Sequence, residues 1–239
     1  MTSQHIVSSF DRDLEALQAM IMKMGGQVEM ATTNAIKALE TRDLELSQQV
    51  RRDDKIIDGL DEDIKSETAR VLALRAPTAG DLRTVLSVMT ISSHLERCGD
   101  YAKNIAKRTT VLVEMTTISG TVPALRRMAR MVERMLADAL DAYIQRDADK
   151  ADDVRDRDLE VDQMYNTLFR SLLTHMMEDP RNITACMHLH FIAKNIERMG
   201  DHATSIAEQT IYLVTGELPD EDRPKGDMTA YGAPDGDAK

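Results

Sequence analysis

Apolar residues recur along the chain at intervals of three and four: Leu14, Leu17, Ile21 and Met24; then Ile57, Leu60 and Ile64; then Leu82, Val85, Leu86 and Met89. At 100° per residue this spacing lines up one face of an α-helix, whereas a strand would alternate at every second position. Three prolines fall within the long periodic region, Pro77, Pro123 and Pro180, and each lies between runs of helix formers, so they mark turns. Two further turns lack proline but place an aspartate where it can cap a new helix, in Arg42-Asp43-Leu44-Glu45 and Arg146-Asp147-Ala148-Asp149. The pattern predicts an all-α chain of six helices, many of them about 30 residues, or about 45 Å, long. Helices of that length pack as bundles.

Comparing the chain with itself sharpens this. Ser93-His94-Leu95-Glu96-Arg97-Cys98-Gly99-Asp100-Tyr101-Ala102 matches Lys194-Asn195-Ile196-Glu197-Arg198-Met199-Gly200-Asp201-His202-Ala203 at an offset of 101, and Ile105-Ala106 matches Ile206-Ala207. Upstream the offset is 104, pairing Ala35 with Ala139, Asp43 with Asp147, Val50 with Val154, Asp54 with Asp158 and Asp58 with Asp162. The second copy is therefore three residues shorter near its proline turn. The expected architecture is two tandem three-helix bundles forming a six-helix repeat protein, residues 1–117 and 118–215. From Gly216 to Lys239 the chain holds four of its 11 Gly, three of its six Pro and seven acids against three bases. Such a segment has too little to bury to offset its ordering entropy, so 216–239 reads as a disordered acidic tail.

Four acid pairs stand at i,i+4 spacing, which puts each pair on one helix face: Asp54/Asp58, Glu96/Asp100, Asp158/Asp162 and Glu197/Asp201. One such pair is usually a solvated surface in a chain that is 30% charged. The turns change the reading. In an antiparallel hairpin, residues equidistant from the turn lie level along the helix axes. Asp58 and Glu96 are each 19 residues from Pro77, and Asp54 and Asp100 are each 23 from it. The second hairpin repeats the relation, its four acids being symmetric about the junction of Asp179 and Pro180. Glu96 and Asp100 continue the stripe of Leu82, Val85, Leu86 and Met89, while Val88, Ile91, Leu95, Cys98, Ala102 and Ile105 form another apolar face. A helix with two apolar faces is sandwiched between neighbours. Four carboxylates on one side of a hairpin repel one another and call for protonation, separation or a cation. All-oxygen sets suit Mg²⁺, Ca²⁺ or Mn²⁺, and helical carboxylate clusters also hold iron. Arg97 and Arg198 follow the site Glu in each copy, where they can orient carboxylates or form ordinary surface pairs. Gly99 and Gly200 cost about 1 kcal/mol each inside helices relative to Ala, which points to close helix approach.

Composition narrows the classes. Acids outnumber Lys and Arg by 41 to 30, a net charge of −11, and no basic patch breaks the excess, which argues against nucleic acid as a partner. Two cysteines, Cys98 and Cys186, make no disulfide framework and read as small core residues of a reduced, cytoplasmic protein. No secretory pattern opens the chain, and no run of about 20 apolar residues would span a bilayer. The six His form no Glu-x-x-His pair, which weakens the alternative of a carboxylate-bridged metalloenzyme on a helical bundle. His190 lies on the carboxylate stripe, but Met89 stands at its counterpart, so it reads as a packed histidine. No Gly-rich phosphate loop, nucleophile elbow or Cys-x-x-Cys is present.

The doubled Leu95-Glu96-Arg97-Cys98-Gly99-Asp100-Tyr101-Ala102 and Ile196-Glu197-Arg198-Met199-Gly200-Asp201-His202-Ala203, together with the turn Pro77-Thr78-Ala79-Gly80-Asp81-Leu82-Arg83, resembles the PhoU family of phosphate-transport accessory proteins over residues 10–215. The second turn departs from that pattern, reading Pro180-Arg181-Asn182-Ile183-Thr184. The resemblance implies a non-enzymatic, cytosolic negative regulator of the phosphate-starvation response. It would link the ATPase of the phosphate ABC transporter to a membrane sensor histidine kinase, and reach the membrane only through those partners. It also implies a homodimer and multinuclear iron or zinc bound through acidic i,i+4 motifs. Those motifs fall here on Asp54, Asp58, Glu96, Asp100, Asp158, Asp162, Glu197 and Asp201.

Overall fold

The computed structural model describes residues 2–75 and 79–219; Pro77 and the acidic stretch from 220 onward lie outside the described residues. Six α-helices follow one another: α1 (Thr2–Thr41), α2 (Leu44–Arg75), α3 (Ala79–Leu112), α4 (Thr121–Gln145), α5 (Ala148–Glu178) and α6 (Ile183–Thr215). A 3₁₀ turn over Pro180–Asn182 joins α5 to α6. There is no strand among the described residues.

The two proline-free turns are the same structure built twice. Arg42 and Arg146 both adopt left-handed backbone, at φ 56° and 54°. The next residue's N–H then reaches back to close the helix, Asp43 to the Ala38 carbonyl at 2.9 Å and Asp147 to the Ala142 carbonyl at 3.0 Å. Each aspartate caps the following helix, accepting from the N–H of Leu46 at 2.9 Å or of Lys150 at 3.0 Å.

Within each repeat every helix packs on the other two. Between repeats α3 meets α6 and α1 meets α4, while α2 and α5 touch helices of their own repeat alone. The α3–α6 seam is antiparallel: Arg83 donates to the Tyr212 carbonyl, His94 meets His202, and Arg108 meets His188. Near its middle the Cys98 Sγ lies 4.0 Å from the Met199 carbonyl. These two residues are mates in the repeat, so a pseudo-twofold axis crosses the seam there.

Leu17, Ile21, Met24, Ile57, Ile64 and Leu95 are buried, as the periodicity requires. Each is worth about 1.5–3 kcal/mol of transfer from water. Both cysteines are buried and free. On α3 the face from Val88 to Ile105 is wholly enclosed, and α3 is indeed sandwiched, by α1, α2 and α6. Its other stripe is only partly so: Val85 is buried, but Leu82 and Leu86 are 38% and 46% exposed at the hairpin's end.

Candidate functional site

The hairpin arithmetic places the acids as expected in the first repeat. Asp54 on α2 is coupled electrostatically to Asp58 and Asp100, and Glu96 on α3 to Asp100 and Asp58. Asp54 is buried, and burial is the chief cause that raises its pKa above the ordinary carboxylate value; Lys103 opposes the rise. The Lys103 ammonium stands 2.5 Å from Asp54 Oδ2 and 3.3 Å from Asp100 Oδ1, bridging the two helices. Glu96 is also raised, by burial first and by Asp100 next. Arg97 reaches Glu96 at 3.6 Å and Asp100 at 3.9 Å from a largely exposed position.

One acid of this cluster has no counterpart in the repeat and lies outside the four i,i+4 pairs. Asp61 continues Asp54 and Asp58 at i+7, is buried, accepts from the Ser92 hydroxyl at 2.6 Å and pairs with Lys65 at 2.5 Å. It also raises the pKa of its neighbour Glu96. The spacing could have revealed it, but its mate is Tyr165 and its partner's mate is Ala193, so comparing the two copies hides it.

The second hairpin buries its acids more deeply: Asp158, Asp162 and Glu197 are 3%, 5% and 5% exposed. Lys103 is replaced there by Thr204, whose hydroxyl turns to the Gly200 carbonyl at 3.0 Å. The cation comes instead from Lys194, at the position of Ser93, 2.8 Å from Glu197 Oε1. The other oxygen, Oε2, is buried with no hydrogen-bond partner. Burial, with help from Asp201 and Asp162 and against Lys194, pushes the Glu197 carboxyl up to about 7. At Gly200 there is room for more, since a Cβ there would stand 3.4 Å from Asp158 Oδ1 and 3.5 Å from Val161 Cγ1, ordinary van der Waals contact. On Gly99 it would come within 2.9 Å of Ile57 Cδ1. Close helix approach therefore accounts for Gly99, against α2, and not for Gly200, where a Cβ would fit.

Among the described residues no three His, Cys, Asp or Glu side chains are drawn together as a ready ligand set. Holding a cation would therefore require these carboxylates to rotate. His190 is ringed by Tyr165, Phe169 and Phe191 at centroid distances of 5.1–5.9 Å, the environment of a packed histidine. His94 and His202 were not anticipated. They meet across the α3–α6 seam, a contact between repeats that helical periodicity does not encode. Burial lowers the pKa of His94, and burial, then His94, brings His202 down to about 4, so both imidazoles are neutral at pH 7. No described helix is long and apolar enough to cross a membrane.

Known proteins share both the sequence and this arrangement. The model of the PhoU domain matches residues 21–109 and 125–210, one stretch in each repeat. The phosphate-specific transport system accessory protein PhoU homolog of Zymomonas mobilis is 48% identical over 96% of this chain and 97% of its own length. That of Rhizobium meliloti is 44% identical over the same shares. The crystal structure of PhoU from Pseudomonas aeruginosa superimposes with a TM-score of 0.84 at 39% identity, covering 87% of this chain and all of that one. The phosphate transport system regulatory protein PhoU from Streptococcus pneumoniae gives 0.82 at 32% identity, covering 89% and 100%. With both repeats matched and the likeness running nearly end to end, the chain belongs to the PhoU family.

Proposed function

We propose that the protein is a cytoplasmic accessory protein of phosphate-specific transport that restrains the phosphate-starvation response when phosphate is plentiful. It does so by coupling the ATPase of the phosphate ABC transporter to a sensor histidine kinase. One observation carries this reading: relatives named as accessory proteins of that transport system align with 96% of this chain and 97% of their own length. The role is regulatory rather than enzymatic, and a homodimer is the working form. Deleting the gene is expected to raise transcription of phosphate-starvation genes in high phosphate. Unchanged transcription would overturn the reading.

Cation binding by the acidic hairpins is the second part of the proposal. The donors fit an iron or zinc ion in chemistry, and Mg²⁺, Mn²⁺ or Ca²⁺ as well, being carboxylate oxygens throughout. Supporting it, Glu197 Oε2 is a buried acceptor with nothing to accept from. Asp158, Asp162, Glu197 and Asp201 would hold a cation between α5 and α6; Asp54, Asp58, Glu96 and Asp100 would hold one between α2 and α3. The ion would supply charge neutralisation and brace each hairpin as a docking surface. Metal analysis of protein purified without chelator, beside the Asp100→Asn/Asp201→Asn variant, tests the assignment. Equal metal in both would remove it while leaving the regulatory proposal standing.

A further inference from the structure

The seam between the repeats carries ligating atoms that the acidic hairpins do not use. His94 of α3 and His202 of α6 point Nδ1 at Nδ1 across 2.8 Å, and the Tyr101 hydroxyl lies 3.4 Å from His202 Nε2. Tyr101 stacks on His202 with centroids 5.6 Å apart and planes 30° apart. Tyr101 and His202 are mates in the repeat, so their stack straddles the pseudo-twofold axis. The mate of His94 is Asn195, so the far side of the axis lacks a second imidazole pair and the constellation occurs once.

Two ring nitrogens at that distance share one proton in a hydrogen bond. If the ring carrying Nδ1–H moves its proton to Nε2, both Nδ1 lone pairs converge on one point. We propose that His94 Nδ1 and His202 Nδ1 bind a single borderline divalent cation of the zinc class, tying the first repeat to the second. Tyr101 is then the positioning residue: its oxygen accepts the His202 Nε2–H, the usual support behind a ligating imidazole. Metal–nitrogen bonds of about 2.0–2.1 Å need the two nitrogens about 3.3 Å apart in a tetrahedral site, a widening of about half an ångström. Both rings are partly exposed, so a small side-chain rotation supplies it and water completes the coordination. Arg97 and Arg198 oppose a cation here and Asp201 favours it. Both arginines are exposed, where water and salt screen them, and Arg97 also faces Glu96 and Asp100. Imidazole suits Zn²⁺, Ni²⁺ and Cu²⁺, and its nitrogens give bound Cu²⁺ a signature that the oxygen-only hairpins cannot produce.

The test uses the full chain stripped of metal, with Cu²⁺ followed by electron paramagnetic resonance and Zn²⁺ by calorimetry. One equivalent of Cu²⁺ coordinated by two imidazole nitrogens is expected, and it should persist in the Asp54→Asn/Asp158→Asn variant. His94→Asn installs the residue that the second repeat already carries at this position, and should leave one nitrogen and weaken Zn²⁺ at least tenfold. His202→Gln should do the same. Tyr101→Phe should keep both nitrogens while weakening binding about tenfold. Two nitrogens surviving in His94→Asn or His202→Gln, or none seen in the parent, would overturn the site.

Discussion

Glu197 sets one carboxylate oxygen against Lys194 and buries the other without a partner. Its folded pKa of about 7 stands above the ordinary 4.5, so between those values the native state holds a proton that the unfolded chain has released. Stability therefore falls as pH rises through that window, and the penalty is complete above pH 7. Glu197→Gln carries no such penalty. The variant is expected to match the parent below pH 4.5 and to exceed it by up to about 3 kcal/mol at pH 8 in metal-free protein. Urea unfolding at pH 4.5, 6 and 8 would show it; a constant difference across the series would sink the argument. Spacing alone selected Glu197, because i,i+4 pairing and distance from the turn are properties of one hairpin. Its depth was not legible, since burial of the carboxylate depends on how the other helices close on α6. For the same reason Asp61 and the His94–His202 contact stayed hidden: each depends on a neighbour that the repeat pattern does not share.

The turns and helix faces show how one element is fitted to two settings. Arg42 and Arg146 hold the same left-handed backbone, which glycine adopts without steric cost. Arg42, however, also donates to the carbonyls of Leu112, Val113 and Met115, satisfying the C-terminal end of α3. Arg146→Gly is accordingly expected to be neutral or to stabilise by up to about 1 kcal/mol, and Arg42→Gly to destabilise by about 1–2 kcal/mol. Thermal melts of the two variants would decide it, and equal shifts would refute the capping role. The adjacent Gly25 and Gly26 make a parallel case. A Cβ on Gly26 meets nothing within 4 Å, so Gly26→Ala should gain about 0.5–1 kcal/mol from helix propensity. On Gly25 it would fall 2.4 Å from Leu140 Cδ1 of α4, so Gly25→Ala should lose about 1–3 kcal/mol unless that leucine turns aside. The helices and their capping aspartates were readable from period and residue type. Nothing in the chain's own order distinguishes Gly25 from Gly26, because the difference arises only where the second repeat approaches the first.

At the scale of the whole molecule the pseudo-twofold relates backbones more faithfully than charges. The eight acids repeat, but their cations do not: Lys103 bridges Asp54 and Asp100 from one side of the first hairpin, while Lys194 reaches Glu197 from the other side of the second. A metal entering the first hairpin must displace an ammonium that already binds both helices. In the second the corresponding place is held by Thr204, which is neutral and turned to its own backbone. Opposite charge at contact distance is worth several kcal/mol at intermediate dielectric. Lys194 competes in the second hairpin for one oxygen of Glu197 but leaves the other, buried Oε2, open to an ion, so the two hairpins are not expected to bind a cation equally. The second should fill first in a Mn²⁺ titration. Lys103→Gln should strengthen the weaker step about tenfold or more and leave the tighter one nearly unchanged, bringing the two together. If the tighter step is the one that responds to Lys103→Gln, the order of filling is reversed. If neither responds, Lys103 does not compete with the metal. The net charge of −11 then divides by place: part lies beyond residue 215, and part lies in two unlike hairpins, each with its own lysine, the second with a buried acceptor left open.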